Sequence, residues 1–361
     1  MNAVLEKYDR VFLIENTDPT SGICLNMTFA LNGAKLCEQK NWLPVVKYDE
    51  STNPFYDPGM GDNVWDYYFE PISHFTYADI QDFLESGKLS KHKVLRVSDF
   101  VPDGRERMYQ FDMHFCRGLF TDFDGIATFP IGVKNLTRET YIDLMQSKRH
   151  IGRDMVAKYI KVKPHIHDEV SAFIEREFKG HYVYGVHIRG TDFSYATPVF
   201  PEKYFELLDP AIEDNDRVKI FLATDQEQYR ELFEKRYPGI TVSYDCQRSN
   251  DSTAPHLLEA GGKYMRGEEA LIDCLLLSNC SFLLKCASAI GEYAIYFNPQ
   301  LEFVDFAMEC RYTAGKARQT AHSRWSHYLD RQQKSRLRLY LSDVKGNVQR
   351  MTRQFARHWN N

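Results

Sequence analysis

The sequence predicts an α/β fold built on parallel strands, and three observations carry that prediction. Short apolar runs such as Val183-Tyr184-Gly185-Val186-His187-Ile188 and Val218-Lys219-Ile220-Phe221-Leu222-Ala223 read as strands buried on both faces. These runs alternate with segments of helical periodicity, the signature of α/β layering. Polar residues gather where the apolar runs end, which is where open α/β sheets bind ligands. At 361 residues the chain exceeds what one hydrophobic core usually serves, so two domains are expected.

In the first half, Val11–Ile14 reads as a strand and is followed by Gly22 and a helical pattern from about Met27 to Gln39. Leu43–Tyr48 is a second strand, ending in a polar loop marked by Asn53-Pro54 and Asp57-Pro58-Gly59. The stretch from Asp62 to Phe69 holds Trp65, Tyr67, Tyr68 and Phe69, which fit either a platform for stacking on a sugar ring or a core patch. Thr76–Ser86 reads as a helix and Val94–Val97 as a strand, and beyond Gly132 the pattern is helical for a long stretch.

Near residue 165 the pattern restarts. Val170, Phe173, Ile174 and Phe178 form one helical stripe over His167–Phe178, closed by Gly180. The strand 183–188 follows, then a helix over Pro201–Leu208 and the strand Val218–Ala223. Thr224 and Asp225 are placed to cap the next helix, with Glu227 or Gln228 completing a capping box. That helix stops at Tyr237-Pro238-Gly239. Ile240–Asp245 reads as a strand, Gly267–Ser278 as a helix, Phe282–Leu284 as a strand, and Ser288 opens a helix toward Phe297. The expected domains are an N-terminal α/β unit over 1–164, a second α/β unit over 165–310 and a basic helical tail over 311–361.

Composition narrows the class. With 43% hydrophobic and 26% charged residues the chain is of ordinary soluble type. A polar start and the lack of a long apolar run suggest a cytoplasmic location. The eight cysteines contain no Cys-x-x-Cys pair and read as reduced thiols. His165-Ile166-His167-Asp168 reads as surface, and no metal is expected. From Arg311 onward twelve Lys or Arg face only Asp330 and Asp343, so a basic tail follows an acidic body. The tail up to Leu341 is expected to dock on the body. Beyond Gly346, Arg350, Arg353 and Arg357 alternate with Met351, Phe355 and Trp359, which suits peripheral contact with an anionic membrane. A nucleic-acid role for the tail is the weaker alternative, since no recognised binding module accompanies it.

Four polar groups fall at carboxyl ends of predicted strands: His187/Arg189/Asp192, Thr224/Asp225, Asp245 and Ser288. Arg189 suits phosphate, because a guanidinium forks onto two oxygens. Ser288 and the amides of the helix beginning at Ala289 suit an anion as well, although Ser288 fits a plain cap equally. Asp245 or Asp225 is placed to accept from a ribose hydroxyl or a purine amine. Neither G-x-G-x-x-G nor G-x-x-x-x-G-K-[ST] is present, and no Asp-x-Asp pair ends a predicted strand. A nucleotide-phosphate crevice without a metal follows.

In order and spacing, His187-x-Arg189-x-x-Asp192, Phe221-Leu222-Ala223-Thr224-Asp225, Gly267–Asp273, Leu276–Cys280 and Ser288 resemble the fucosyltransferase superfamily. The match is best to the α1,6-fucosyltransferases, including the rhizobial nodulation enzymes, and covers about residues 183–300. The resemblance implies a GT-B enzyme with two Rossmann-like domains facing a cleft. It would be an inverting, metal-independent transferase that needs no cofactor and takes GDP-fucose as donor and a glycan as acceptor. It further implies that Arg189 clamps the β-phosphate, His187 shapes the turn, Asp245 reads guanine or ribose, Ser288 binds phosphate, and Asp273 braces a loop. Two positions depart from the pattern: Gly190 stands where a second Arg is common, and Phe193–Pro198 lacks the carboxylate often used as base. Glu15 and Asp18, with Asp192 behind them, are the substitutes. Another GDP-sugar or a UDP-sugar remains the alternative donor.

Overall fold

Strand β1 (Arg10–Glu15) is an apolar run buried on both faces, and it pairs in parallel with β2 (Trp42–Lys47) and β3 (Val94–Arg96) in the order β2-β1-β3. A computed structural model describes residues 5–16, 21–49, 53–97, 120–121, 127–128, 138–191, 199–251, 253–258, 262–286 and 288–306. The helix α1 (Ile23–Lys40) returns the chain to β2. Two short helices follow, α2 (Trp65–Tyr68) and α3 (Tyr77–Glu85). Thr76 caps α3 through a reciprocal capping box with Asp79. A two-residue hairpin, β4 (Phe120–Thr121) with β5 (Ala127–Thr128), precedes the long helix α4 (Arg138–Tyr159). The basic tail beyond residue 306, Asp18, Asp192 and the 193–198 loop lie outside the described residues.

The second sheet is larger. Helix α5 (Pro164–Phe173) runs on into one wide π turn, Ile174–Phe178, and then into β6 (Tyr182–Ile188). After β6 come α6 (Pro201–Glu213), β7 (Val218–Thr224), α7 (Glu227–Arg236), β8 (Thr241–Val242) and α8 (Lys263–Ser278). The last described elements are β9 (Phe282–Lys285), α9 (Ala289–Phe297) and β10 (Glu302–Asp305). All pairings are parallel, in the order β10-β9-β6-β7-β8. Read from the first strand of the unit this is 3-2-1-4-5, the Rossmann order, and its switch point lies between β6 and β9.

The α/β reading and the strand–helix alternation hold, with local corrections. The expected strand Ile240–Asp245 is only the two residues of β8 at the sheet edge, and β10 is an additional strand at the other edge. Neither Thr224 nor Asp225 caps α7; the N-cap is Gln226, without a side-chain capping bond. Trp65, Tyr68 and Phe69 are almost completely buried, so the aromatic run is core and not a sugar platform. Truncating such a side chain typically costs about 3–5 kcal/mol.

One core joins the two sheets. The outer face of the first sheet packs Val11, Leu13, Leu43 and Val45 against Ile80 of α3. Its inner face, with Phe12, Ile14 and Val46, packs on α1, which is buried without interruption from Ile23 to Ala34. The same cluster continues through α8 and α9 to Val183, Phe221 and Leu283 of the second sheet. The far face of that sheet, Val186, Ile188, Ile220 and Leu222, is covered by α6 and α7. The described cysteines are all free thiols, five of the six buried.

Candidate functional site

The register of the second sheet decides which polar residues meet. His187 lies opposite Lys285 across β6 and β9, and the Arg189 amide donates to the Cys286 thiol sulfur at 3.3 Å. Arg189 and Ser288 therefore emerge side by side at the switch point, one beyond each central strand. Asp225 is engaged within the chain. Its carboxylate accepts from the amides of Gly190 (2.6 Å) and Thr191 (3.2 Å) and from the Thr191 hydroxyl, so it braces the turn that carries Arg189. That also explains Gly190, since a Cβ there would overlap the Gln226 amide. A second arginine at this place would require the Gln226 side chain to move.

His187 is buried and packs against α9, where a Cβ at Gly291 would come within 2.9 Å of its Nδ1. Burial, with the cations Lys285 and Arg189 behind it, pushes its pKa down to about 3, so the ring is neutral. The Tyr204 hydroxyl donates to the His187 carbonyl at 3.0 Å. His187 shapes the turn by packing and adds no charge to it. Burial likewise pushes the Cys286 thiol up to about 11, so it is no nucleophile.

Ser288 is the N-cap of the nine-residue α9, yet its side chain makes no capping bond. The hydroxyl is buried and has no hydrogen-bond partner among the described residues. Ala289 begins the first turn, whose orphan amides and dipole favour an anion. A buried donor left open beside a helix N-terminus and a guanidinium is the arrangement that takes a phosphate.

Asp245 stands elsewhere. It is exposed, beyond the edge strand β8 and two strands from β6. The buried carboxylate in that region is Asp273 of α8, which lies under the loop after β8. Cys246 approaches its Oδ2 at 3.9 Å, and Oδ1 has no partner among the described residues. Burial pushes Asp273 up to about 7, only partly offset by Arg248. Ser243 Oγ and Arg248 Nε, in the same loop, are buried and also unpartnered. Asp273 is thus better placed than Asp245 to meet donors of a nucleobase.

On the first sheet, Glu15 ends β1 and faces Arg96 at 3.2 Å and Lys47 at 4.0 Å. Beside it Asn16 donates to Asn26 Oδ1 at 2.7 Å, while Asn26 Nδ2 and Ser21 Oγ are buried without partners among the described residues. Among the described residues no group of three His, Cys, Asp or Glu is placed to hold a metal. One pattern amends the sequence reading: Asp122-Phe123-Asp124 follows β4 directly, an Asp-x-Asp pair at a strand end, and it lies outside the described residues.

No protein-family model matches the chain, and no curated protein matches it in sequence. Solved structures similar to it include the fucosyltransferase NodZ from Bradyrhizobium, at 17% identity over 82% of this chain and 95% of that one, with a TM-score of 0.47. FUT1 of Arabidopsis thaliana in complex with GDP is 12% identical over 82% of this chain and 70% of that one, with a TM-score of 0.42. POFUT1 in complex with GDP is 9% identical over 82% and 98%, with a TM-score of 0.43.

Proposed function

We propose that this protein is a glycosyltransferase that moves fucose from GDP-fucose to a glycan hydroxyl, with inversion and without a metal. The observation that carries the reading is Ser288. Its open, buried hydroxyl stands at a helix N-terminus beside Arg189, at the switch point of a Rossmann-ordered sheet. Arg189, the Ser288 hydroxyl and the first amides of α9 would hold the diphosphate, and Asp273 would accept from the base. As the acceptor oxygen bonds to the sugar C1, the C1–oxygen bond to the β-phosphate breaks. The negative charge released onto GDP is stabilised by groups already in place.

The acceptor proton passes to a carboxylate on the opposite side of the sugar. Glu15 is a weak choice, because its carboxylate is already engaged by Arg96 at 3.2 Å and Lys47 at 4.0 Å. Asp18, three residues on, is the better assignment.

The test is release of GDP from a panel of GDP- and UDP-sugars, with and without EDTA. GDP-fucose is expected to be turned over best, and EDTA to leave the rate unchanged. Preference for another sugar nucleotide would reassign the donor. Activity abolished by EDTA and restored by Mn²⁺ would transfer the diphosphate to Asp122 and Asp124 and sink the metal-free reading.

A further inference from the structure

Four charged side chains, of which only Lys285 has entered the site described so far, are buried behind the first turn of α9. Arg149 of α4 donates to Glu292 through Nε at 2.9 Å and Nη2 at 2.6 Å, and to Asp305 through Nη2 at 2.5 Å. Lys285, the last residue of β9, donates to Glu292 at 2.6 Å and lies 3.1 Å from Asp305. Each cation thus touches both carboxylates, and the four come from four different elements. Burial alone would depress Lys285 and raise Glu292. The opposite charges prevail: Asp305 and Glu292 hold Lys285 above its ordinary range, and Arg149 and Lys285 hold Glu292 below its own.

Buried ion pairs are a poor source of net stability, because desolvation offsets most of the attraction. Their best-attested use is to fix one arrangement among several. Here the arrangement is that of α9. Glu292 lies one turn after Ser288, and its amide donates to the Ser288 carbonyl at 3.4 Å. The Cβ and Cε of Lys285 stand 3.0 and 3.1 Å from where a side chain at Gly291 would begin. On the side of α1 the rotation of α9 is marked by the Tyr293 hydroxyl, 2.8 Å from the Thr28 hydroxyl. On the side of its first turn it is marked by the fork of Arg149 on Glu292. Because α4 also packs on α1, the same contact ties the phosphate end of α9 to the first sheet.

We propose that Arg149, Lys285, Glu292 and Asp305 are positioning residues for diphosphate binding: they set the rotation of α9 so that the Ser288 hydroxyl and the first amides face the phosphates. The proposal rests on the reading of that rim as the GDP site. It is tested on the full chain by GDP titration calorimetry on wild type, Ser288→Ala, Glu292→Gln and the double variant. Each single change is expected to weaken GDP about tenfold. The double variant is expected to be no more than about twofold weaker than either, because a hydroxyl already turned away has nothing left to lose. Losses that multiply to about a hundredfold overturn the proposal, since Glu292 would then act independently of Ser288. A second variant separates positioning from stability, with Arg149→Met, Lys285→Met, Glu292→Met and Asp305→Leu together. It is expected to recover the thermal midpoint that Glu292→Gln loses while still binding GDP weakly; wild-type affinity in it overturns the proposal. If wild type itself binds no GDP, the site reading falls and takes this proposal with it, whereas GDP binding with multiplicative losses sinks this proposal alone.

Discussion

Helices α1 and α9 begin alike and are held differently. Each follows the carboxyl end of a parallel strand, and neither N-cap side chain makes a capping bond. Each leaves buried polar atoms without partners among the described residues: Ser21 Oγ and Asn26 Nδ2 near α1, and Ser288 Oγ at α9. At α1 the immediate surroundings are neutral amides, with Asn16 bonded to Asn26, and the nearby Glu15 is matched by Arg96 and Lys47. At α9 the first-turn Glu292 is held by Arg149 and Lys285, and the Arg189 amide is bonded to Cys286 just before the helix. Orphan amides favour an anion at both ends, but at α1 the nearby Arg96 is paired with Glu15, whereas Arg189 follows the strand next to α9. The difference agrees with the proposed reading, in which the diphosphate lies at the second sheet and the acceptor hydroxyl at the first.

The contrast breaks most readily at Arg189. Arg189→Lys keeps the charge and loses the fork, so kcat with GDP-fucose is expected to fall about 10²-fold or more. Near-normal turnover would show that α9 needs no partner across the rim.

Asp273 gives the next effect, on stability. Its pKa rises from 3.8 to about 7 on folding, so between about pH 4 and 7 the folded protein holds a proton that the unfolded chain has released. Stability is therefore expected to fall as pH rises through that window, by a few kcal/mol, with that contribution lost above about 7. Asp273→Asn is expected to flatten the slope in urea unfolding and to be more stable than wild type at pH 8. An unchanged slope would remove Asp273 as the titrating group.

Smaller effects sharpen the comparison. Ser288→Ala removes a hydroxyl that bonds to no described residue, so GDP affinity is expected to fall about tenfold with the thermal midpoint within a degree or two of wild type. A large drop in midpoint would mean the hydroxyl is structural. Glu15→Gln is expected to slow transfer by less than tenfold, with Asp18→Asn slowing it by about 10² or more. The reverse ranking would return the base to the end of β1.

Strands buried on both faces were the most legible elements, because β1, β6 and β7 are mainly apolar runs of the kind parallel sheets contain. The edge strands were not. β8 pairs over two residues and β10, Glu302–Asp305, is half polar, so neither carries a clear pattern. Sequence placed Arg189 and Ser288 at one rim but not the role of Asp225, since a carboxylate after a strand serves a cap or a neighbouring turn equally well. The charge cluster depends on contacts 143 and 156 residues apart, which no local pattern encodes. It did leave a trace: Lys285 ends the apolar run of β9, and Glu292 is the lone charge in Ala289–Phe297. A charge in such a run needs a buried partner.

The all-round burial of α1 bears on how the chain comes apart. A helix with sheet on one side and α8 and α9 on the other cannot be solvated by separating the halves without exposing a full apolar face. A boundary near residue 164 would therefore divide the strands but not the cooperative unit. Heating should produce one calorimetric transition, and the first 164 residues expressed alone should aggregate through the uncovered side of α1.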